Sequence, residues 1–498
     1  MTEGPSFLKP QVRTLCSVVS VTLFAFVLQG YHPGAEDDAI YLSAIKRRLQ
    51  PSLYPVNAPF ITLQLQASVF DKFVAAFIHT THLPVAYACL ALQLGFLALL
   101  FAACWQIVAF CFESWRARFA GILSIACILT ISVAGTAIYL ADEHLHPRLI
   151  ATDGILFAVA ALQRRRYRTA TLLLLCAILF HPIMGAFGLS FCVLFLLVRQ
   201  CTPSAQPMPS PMASSRFVAL PGSWLFTPAS PAWRTALAQH SYYMLGRWQW
   251  YEWLGAVAPP FLLFVLARLG RARSNPAFYQ LAATATLFSI VQLAIALAMV
   301  GPPRFLRLWP LQPMRYLHLT FLFMALLAGS ALGQYFLRAH VARWLLVFLP
   351  LAAANGAAQR MRYPATTNLE LPWAAPANPW LQAFAWVKRN TPENAVFALD
   401  PHYLSQPGED NHSFRALAER SSLADDQKDA AVVTQVPQLA ATWLDQHNHQ
   451  LGWTTWTTQQ FLRLAQTTPA RWALVDPRQA PGLHCPFHNQ SVAVCHLD

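Results

Sequence analysis

The chain has 498 residues, 56% of them hydrophobic and only 11% charged, which is too apolar and too poor in charge for a water-soluble protein of this length. A formal net charge of +13 would suit a nucleic-acid binder, but the Lys and Arg residues cluster in short breaks between apolar runs, where membrane topology accounts for them. These numbers exclude a soluble enzyme and a polyanion-binding module, and they predict an all-α polytopic membrane protein.

In chain order, the first apolar run, residues 14–28, is like a signal peptide but lacks a following small-residue cleavage site, so it reads as a retained span. Further spans are expected near 84–112, 119–140, 149–162, 169–180, 183–198, 253–266, 278–300, 317–336 and 344–358. Several are shorter than the roughly 20 apolar residues of a comfortable crossing. His181-Pro182 interrupts 168–199, giving either a hairpin of two short helices or one kinked helix. The hairpin requires one more crossing within 216–238, which is poorly apolar. "CTPSAQPMPSPMASS" and its neighbours, 200–231, read as a Pro/Ser-rich linker.

The basic breaks hold Lys9 and Arg13, Arg116 and Arg118, Arg164 to Arg168, Arg268 to Arg273, and Arg338 with Arg343. The positive-inside rule puts them all in the cytoplasm. The N-terminus is then inside, while the first loop (31–83) and the tail lie on the external or periplasmic face. Residues 1–358 form the transmembrane domain. In the tail, 359–498, "NPWLQAFAWVKRNTP" and "TTQQFLRLAQTTP" have helical spacing, and "AVFALD", "RWALVDP" and "QSVAVCHL" read as strands, so a small α/β domain is expected. Most Cys residues sit singly in apolar runs, but Cys485 and Cys495 lie close together in this polar tail, where an oxidising compartment would allow a disulfide.

No P-loop, GxGxxG after a strand, HExxH or GxSxG is present, so no usual nucleotide cradle or hydrolase elbow is signalled. Chemistry concentrates at span ends. "HPGAEDD" sets Glu36, Asp37 and Asp38 together where the first span stops. One reading makes 36–48 an amphipathic helix flat on the membrane, its acidic start and basic end complementing the helix dipole. The other makes a carboxylate a general base, with Lys46, Arg47 and Arg48, which stand against the positive-inside bias, facing a negative ligand. "YLADEHLHPRL" supplies Asp142, Glu143, His144, His146 and Arg148. Its Asp142, His144 and His146 have metal-ligand chemistry without a specific spacing, and Arg148 could grip a phosphate. "GPPRFLRLWPLQPMRYLHL" offers Arg304, Arg307 and Arg315, which could equally be snorkelling arginines. His181 reads as a turn residue, and Arg415, Glu419, Arg420 and Lys428 as an ion-pair network inside the tail domain.

The stretches "GAEDDAIY", "ADEHLHPR" and "RRRYRTATLLLLCAILFHPIMG" resemble the type C (GT-C fold) integral membrane glycosyltransferase superfamily. The tail stretches "WVKRNTPENAVFALDP" and "FRALAERSSLADDQK" are similar to poorly characterised bacterial proteins with such a core. The resemblance implies a GT-C-like helical bundle in a bacterial inner membrane. It implies transfer of a sugar from a polyprenyl-phosphate donor to a glycan, lipid or protein acceptor on the periplasmic face, with no nucleic-acid partner. It casts Asp37 or Asp38, beside Glu36, as base or holder of a divalent metal (Mg or Mn). Asp142 and Glu143 fall at the acidic spot of the second loop, and Arg148, Arg304, Arg307 and Arg315 are candidates for the donor phosphate. Two rivals stand: a non-catalytic envelope assembly or binding protein on the same fold, and a lipid or polysaccharide transporter, which needs buried charges that few spans carry.

Overall fold

The computed structural model describes residues 9–200, 229–479 and 482–497. Among them, seven helices are long and apolar enough to cross a membrane: Pro10–Gln29, Val85–Cys111, Pro182–Gln200, Trp250–Ala272, Pro276–Val300, Pro313–Leu337 and Val341–Arg362. Their starts follow local chemistry. Pro occupies the first turn of Pro10–Gln29 and of Pro276–Val300, where its missing N–H costs nothing, and Asn275 caps the latter by accepting from the Phe278 N–H at 3.0 Å. Trp250–Ala272 opens with a reciprocal Gln249–Glu252 capping box.

The bundle buries an apolar core that includes Leu97, Phe101, Ile125, Ile155, Val159, Phe191, Phe288 and Phe323, with Phe191 stacked on Phe323 at 4.4 Å. Leu172, Leu175 and Leu179, and likewise Leu189, Val193 and Leu197, are exposed at helical spacing. Such stripes of bare Leu and Val suit lipid tails as neighbours.

The basic breaks share one end of this bundle. Arg13 lies 4.3 Å over the Trp115 ring, Asn275 donates to the Cys111 carbonyl at 2.7 Å, and Arg199 donates to the Leu162 carbonyl at 2.9 Å. The last of these contacts decides the His181-Pro182 break. Arg199 and the start of Tyr167–Phe180 both lie beside Leu162, so Tyr167–Phe180 and Pro182–Gln200 form a hairpin. The linker and the further crossing that a hairpin requires lie, but for their ends, outside the described residues.

Two expectations fail here. Residues 119–140 are not a span: the helix Trp115–Ala126 stops early, and an irregular segment runs on to His146. Its "ILTISVAGT", with five β-branched residues, a Ser and a Gly, is a poor helix former. The segment satisfies itself instead, through Val133 N to Ile138 O (2.9 Å), Leu140 N to Leu129 O (2.9 Å) and Thr130 Oγ1 to Asn355 (2.8 Å). Irregular backbone of this kind is tolerated inside a bundle because protein, not lipid, surrounds it. Nor is 36–48 a helix lying flat on a membrane. Glu36–Ala39 is a single 3₁₀ turn, and the helix Tyr41–Leu49 has Tyr41 to Ile45 all buried.

They pack against the helix Phe70–Thr81, where Tyr41 meets Phe70 edge-on at 5.5 Å, and against the C-terminal domain. Its five strands are β1 (Val396–Ala398), β2 (Ser421–Ser422), β3 (Trp472–Val475), β4 (Phe487–His488) and β5 (Ala493–His496), in the sheet order β2-β1-β3-β5-β4. β1 pairs in parallel with β2 and β3, and β5 runs antiparallel to β3 and β4. The helices Pro379–Asn390 and Thr458–Thr467 lie where the spacing predicts them. Cys485 and Cys495 are joined by a disulfide. The domain is fastened to the first loop: Lys46 donates to the Ala416 carbonyl (2.7 Å) and pairs with Glu419, and Tyr54 Oη donates to the Arg415 carbonyl (2.9 Å). The segment "AWRTALAQHSYY" joins the same contact, with Trp233 buried and its indole donating to the Thr434 carbonyl at 3.1 Å. Among the charged residues, Asp153 departs from the span-end pattern. It is buried in the helix Pro147–Gln163 with neither carboxyl oxygen hydrogen-bonded.

Candidate active site

Three loops and one helix of the C-terminal domain converge on Asp37. The first loop turns sharply at Gly34, whose φ of +85° and whose closeness to Leu417 (an added Cβ would sit 2.6 Å from it) leave no room for a side chain. Ser413 N donates to the Gly34 carbonyl at 2.7 Å, and Glu36 N to the Asn411 carbonyl at 2.9 Å, so the C-terminal domain itself holds the acidic turn.

That turn sends its three carboxylates in different directions. Asp37 is the most open of them, its side chain 32% exposed. Its Oδ1 accepts from Lys428 Nζ at 2.8 Å, its Oδ2 lies 3.3 Å from His146 Nε2, and Arg148 stands 3.8 Å away. Glu36 pairs with Lys428 at 2.7 Å and with Arg362 at 3.1 Å. Asp38 turns away and is buried, accepting from the Gly34 N–H at 2.8 Å, so it fastens the turn and lines neither of the two cavities that meet at Asp37. Burial raises its pKa.

Around Asp37 the charges are matched. Asp142 accepts from Arg148 at 3.0 Å, and the fully buried Glu143 accepts from Arg362 (2.9 Å) and Gln359 (2.8 Å). Burial works against ionisation of Asp37, but Lys428 and the hydrogen bond from His146 outweigh it and hold the carboxyl well below the usual carboxylate range. Lys428 is raised in turn, its burial overcome by Asp37 and Glu36. Burial, against the opposing pull of Asp142, brings His146 down to about 4, so the ring is neutral at pH 7. Its Nδ1 accepts the Arg148 backbone N–H at 3.0 Å, capping the helix Pro147–Gln163. The ring proton therefore sits on Nε2 and is directed at Asp37, which makes Asp37 the hydrogen-bond acceptor of the pair.

Two cavities meet at this carboxylate. One, about 180 Å³, is walled by Asp37, Tyr41, Leu65, Phe180, His181 and Ile183 on the side of the helical hairpin. The other, about 330 Å³, is polar and holds Glu36, Asp37, Asp142, Arg148, Arg362 and Lys428. Asp37, Tyr242, Arg315 and Ala431 line both. Arg315 stands at the junction with no ion pair among the described residues, and its Nε is buried without a hydrogen-bond partner. A larger cavity, about 900 Å³, lies at the basic end by Arg271 and has no carboxylate in its lining.

Several sequence candidates fall elsewhere. Lys46 is committed to Glu419, Arg47 to the carbonyls of Leu53 and Tyr54, and Arg48 to Asp71 at 2.6 Å. These partners, not an anionic ligand, explain why those cations stand where they do. Arg304 and Arg307 lie over Phe305 and Trp233 and line neither cavity. His144 is buried, with neither ring nitrogen hydrogen-bonded. Asp142, His144 and His146 are not gathered as a ligand set; among the described residues the only such trio is His32, Glu370 and His412. Glu36, Asp37, Asp142 and Glu143 are paired with Lys428, Arg148 and Arg362, and Arg315 lines the same cavity, so a Mg or Mn ion there would have to displace these cations. The sequence reading missed Arg362 and the roles of Lys428 and His181. Lys428 reaches back across 391 residues to Asp37, a pairing that only the folded chain reveals.

Residues 378–448 match the model of a domain of unknown function, DUF6798. No curated protein matches the chain. Among solved structures the chain is similar to the arabinofuranosyltransferase AftD from Mycobacteria, at 14% identity and a TM-score of 0.41. That match covers 99% of this chain and 40% of the AftD chain, so the present chain spans well under half the length of that relative.

Proposed function

We propose that the protein is a membrane glycosyltransferase that moves a sugar from a polyprenyl-phosphate donor to a hydroxyl acceptor at Asp37. The observation that carries this reading is the place of Asp37 at the meeting point of two cavities, with the uncommitted Arg315 beside it. The cavity against the helical hairpin suits a donor whose lipid stays in the bilayer, and the polar cavity suits the acceptor. The acceptor oxygen attacks the anomeric carbon as the bond from that carbon to the phosphate oxygen breaks, and its proton passes to Asp37. Arg315 and Arg148 meet the charge gathering on the departing polyprenyl phosphate. His146 holds Asp37 in aim with its Nε2–H, and Lys428 keeps it ionised. No nucleotide site is needed, since the lipid carrier delivers the sugar already activated. On this reading the acidic end of the bundle faces the periplasm, as the distribution of basic breaks predicts.

The test is transfer of radiolabelled sugar from a panel of polyprenyl-phosphate sugars by membranes containing the wild-type chain or Arg315→Ala. The expected result is transfer from at least one donor by wild type, with KM for that donor raised in Arg315→Ala. Equal KM and kcat in the two proteins would remove the donor-phosphate role, and a wild type inert towards every donor would favour the non-catalytic reading of the fold.

A further inference from the structure

Behind the acidic turn lies a second cluster that the transfer reaction does not use. His32 follows the end of the helix Pro10–Gln29, Glu370 lies in the connector after Val341–Arg362, and His412 belongs to the C-terminal domain. His32 Nδ1 is 2.6 Å and His412 Nε2 2.9 Å from the same oxygen, Glu370 Oε1. Both imidazoles are almost wholly buried, and Glu370 is 15% exposed.

The backbone around the trio is rigidly set. His32 N donates to the Glu143 carbonyl at 2.8 Å, and Glu370 N to the Tyr31 carbonyl at 2.9 Å. The Tyr363 ring stacks on His32 at 3.7 Å. Gly30, at φ +83°, gives His32 its space, because an added Cβ would lie 2.8 Å from His32 Nε2. Glu370 also differs from its neighbours. Glu36, Asp37, Asp142 and Glu143 each meet a Lys or Arg, whereas the ion-pair partners of Glu370 among the described residues are the two imidazoles alone. A buried carboxylate without a fixed cation is either matched by a protonated ring or waiting for a metal.

We propose that His32, Glu370 and His412 bind a divalent transition-metal ion, zinc by their donor chemistry, which ties the first loop, the connector and the C-terminal domain together. Two imidazoles and a carboxylate are an established zinc set, and a fourth position would be left for water. The three ligand atoms already lie within 4.8 Å of one another. Donors on a tetrahedral zinc, at bonds of about 2.0–2.1 Å, stand about 3.3 Å apart, so each ring nitrogen needs to withdraw from Glu370 Oε1 by less than about one ångström, and the two nitrogens, within 4.8 Å, need to settle about 3.3 Å from each other. Each ring keeps one proton, which moves to its outer nitrogen as the inner lone pair takes the metal. The site is separate from Asp37, and the proposal does not depend on glycosyl transfer.

The test uses the full-length chain in detergent, stripped with a chelator and titrated with Co²⁺. The expected result is a visible d–d band that saturates at one ion per chain and vanishes on adding Zn²⁺. His412→Ala and His32→Ala should weaken binding by more than the about 10–100-fold that loss of an outer-shell partner costs. His402→Ala, at a 59% exposed histidine outside the trio, should bind as wild type does. If the His variants fail to fold, Glu370→Gln and the wild-type titration still decide. A folded wild type with no band and no metal by elemental analysis overturns the proposal and leaves the trio as a protonated-histidine clamp. A band that persists in both His variants overturns it as well.

Discussion

Replacing Lys428 by Met should separate a working ion-pair centre from a solvated surface lysine. Lys428 Nζ sits 2.7 Å from Glu36 and 2.8 Å from Asp37, with its side chain 14% exposed and the two carboxylates 23% and 32% exposed. A pair of this kind lies between the limits set by exposed pairs, about 0.2–1 kcal/mol, and broken buried pairs, about 3–5 kcal/mol. Asp37 is near a third exposed and retains His146 and Arg148, and Glu36 retains Arg362, so the loss belongs in the middle of that range. We expect Lys428→Met to destabilise the docked C-terminal domain by about 2–3 kcal/mol. The double variant Lys428→Met/Asp37→Asn should recover part of that loss, because one of the stranded charges is gone. Denaturant unfolding in detergent, followed by tryptophan fluorescence, reads the effect. A Lys428→Met loss within about 0.5 kcal/mol, the size of an ordinary surface substitution, would refute the reasoning.

Arg362→Lys should fare nearly as badly as Arg362→Ala in a thermal melt, since one ammonium cannot span Glu36 and the fully buried Glu143 as the guanidinium does at 3.1 and 2.9 Å. Burial lowers His146 and His240 to about 4, so the unfolded chain binds protons there that the folded chain refuses. Stability is then complete above the unfolded value of about 6.5 and falls as pH drops towards 4, which melts at stepped pH will show. Glu36, Asp37 and Asp142, all held low, extend the loss into more acidic solution. Reduction of Cys485–Cys495, ten residues apart, should cost the C-terminal domain about 2.5–3 kcal/mol in denaturant unfolding.

Much of the architecture was legible because it rests on local chemistry. Apolar runs, the helical spacing of "NPWLQAFAWVKRNTP" and the short apolar strands "AVFALD" and "RWALVDP" each depend on neighbours in the chain. The placing of acidic residues at span ends likewise pointed to the turn that holds Asp37. Hydropathy could not show that 127–146 is irregular, because a buried loop and a span are equally apolar. Nor could it show that Tyr41 to Ile45 are buried, since part of their cover is the C-terminal domain. Asp37 and Asp38 read alike in sequence and part only in the fold, where a backbone N–H at Gly34 claims one and two cavities meet at the other. Lys428 with Asp37, and His32 with Glu370, are pairings across 391 and 338 residues that no periodicity or spacing records.

The most direct test of the central claim is sugar transfer by Asp37→Asn beside Asp38→Asn, in membranes supplied with a polyprenyl-phosphate sugar that wild type accepts. The account predicts that Asp37→Asn loses about 100-fold or more of kcat, the usual contribution of a general base. Asp38→Asn, which keeps an oxygen for the Gly34 N–H, should transfer at close to the wild-type rate. Wild-type transfer by a folded Asp37→Asn would contradict it.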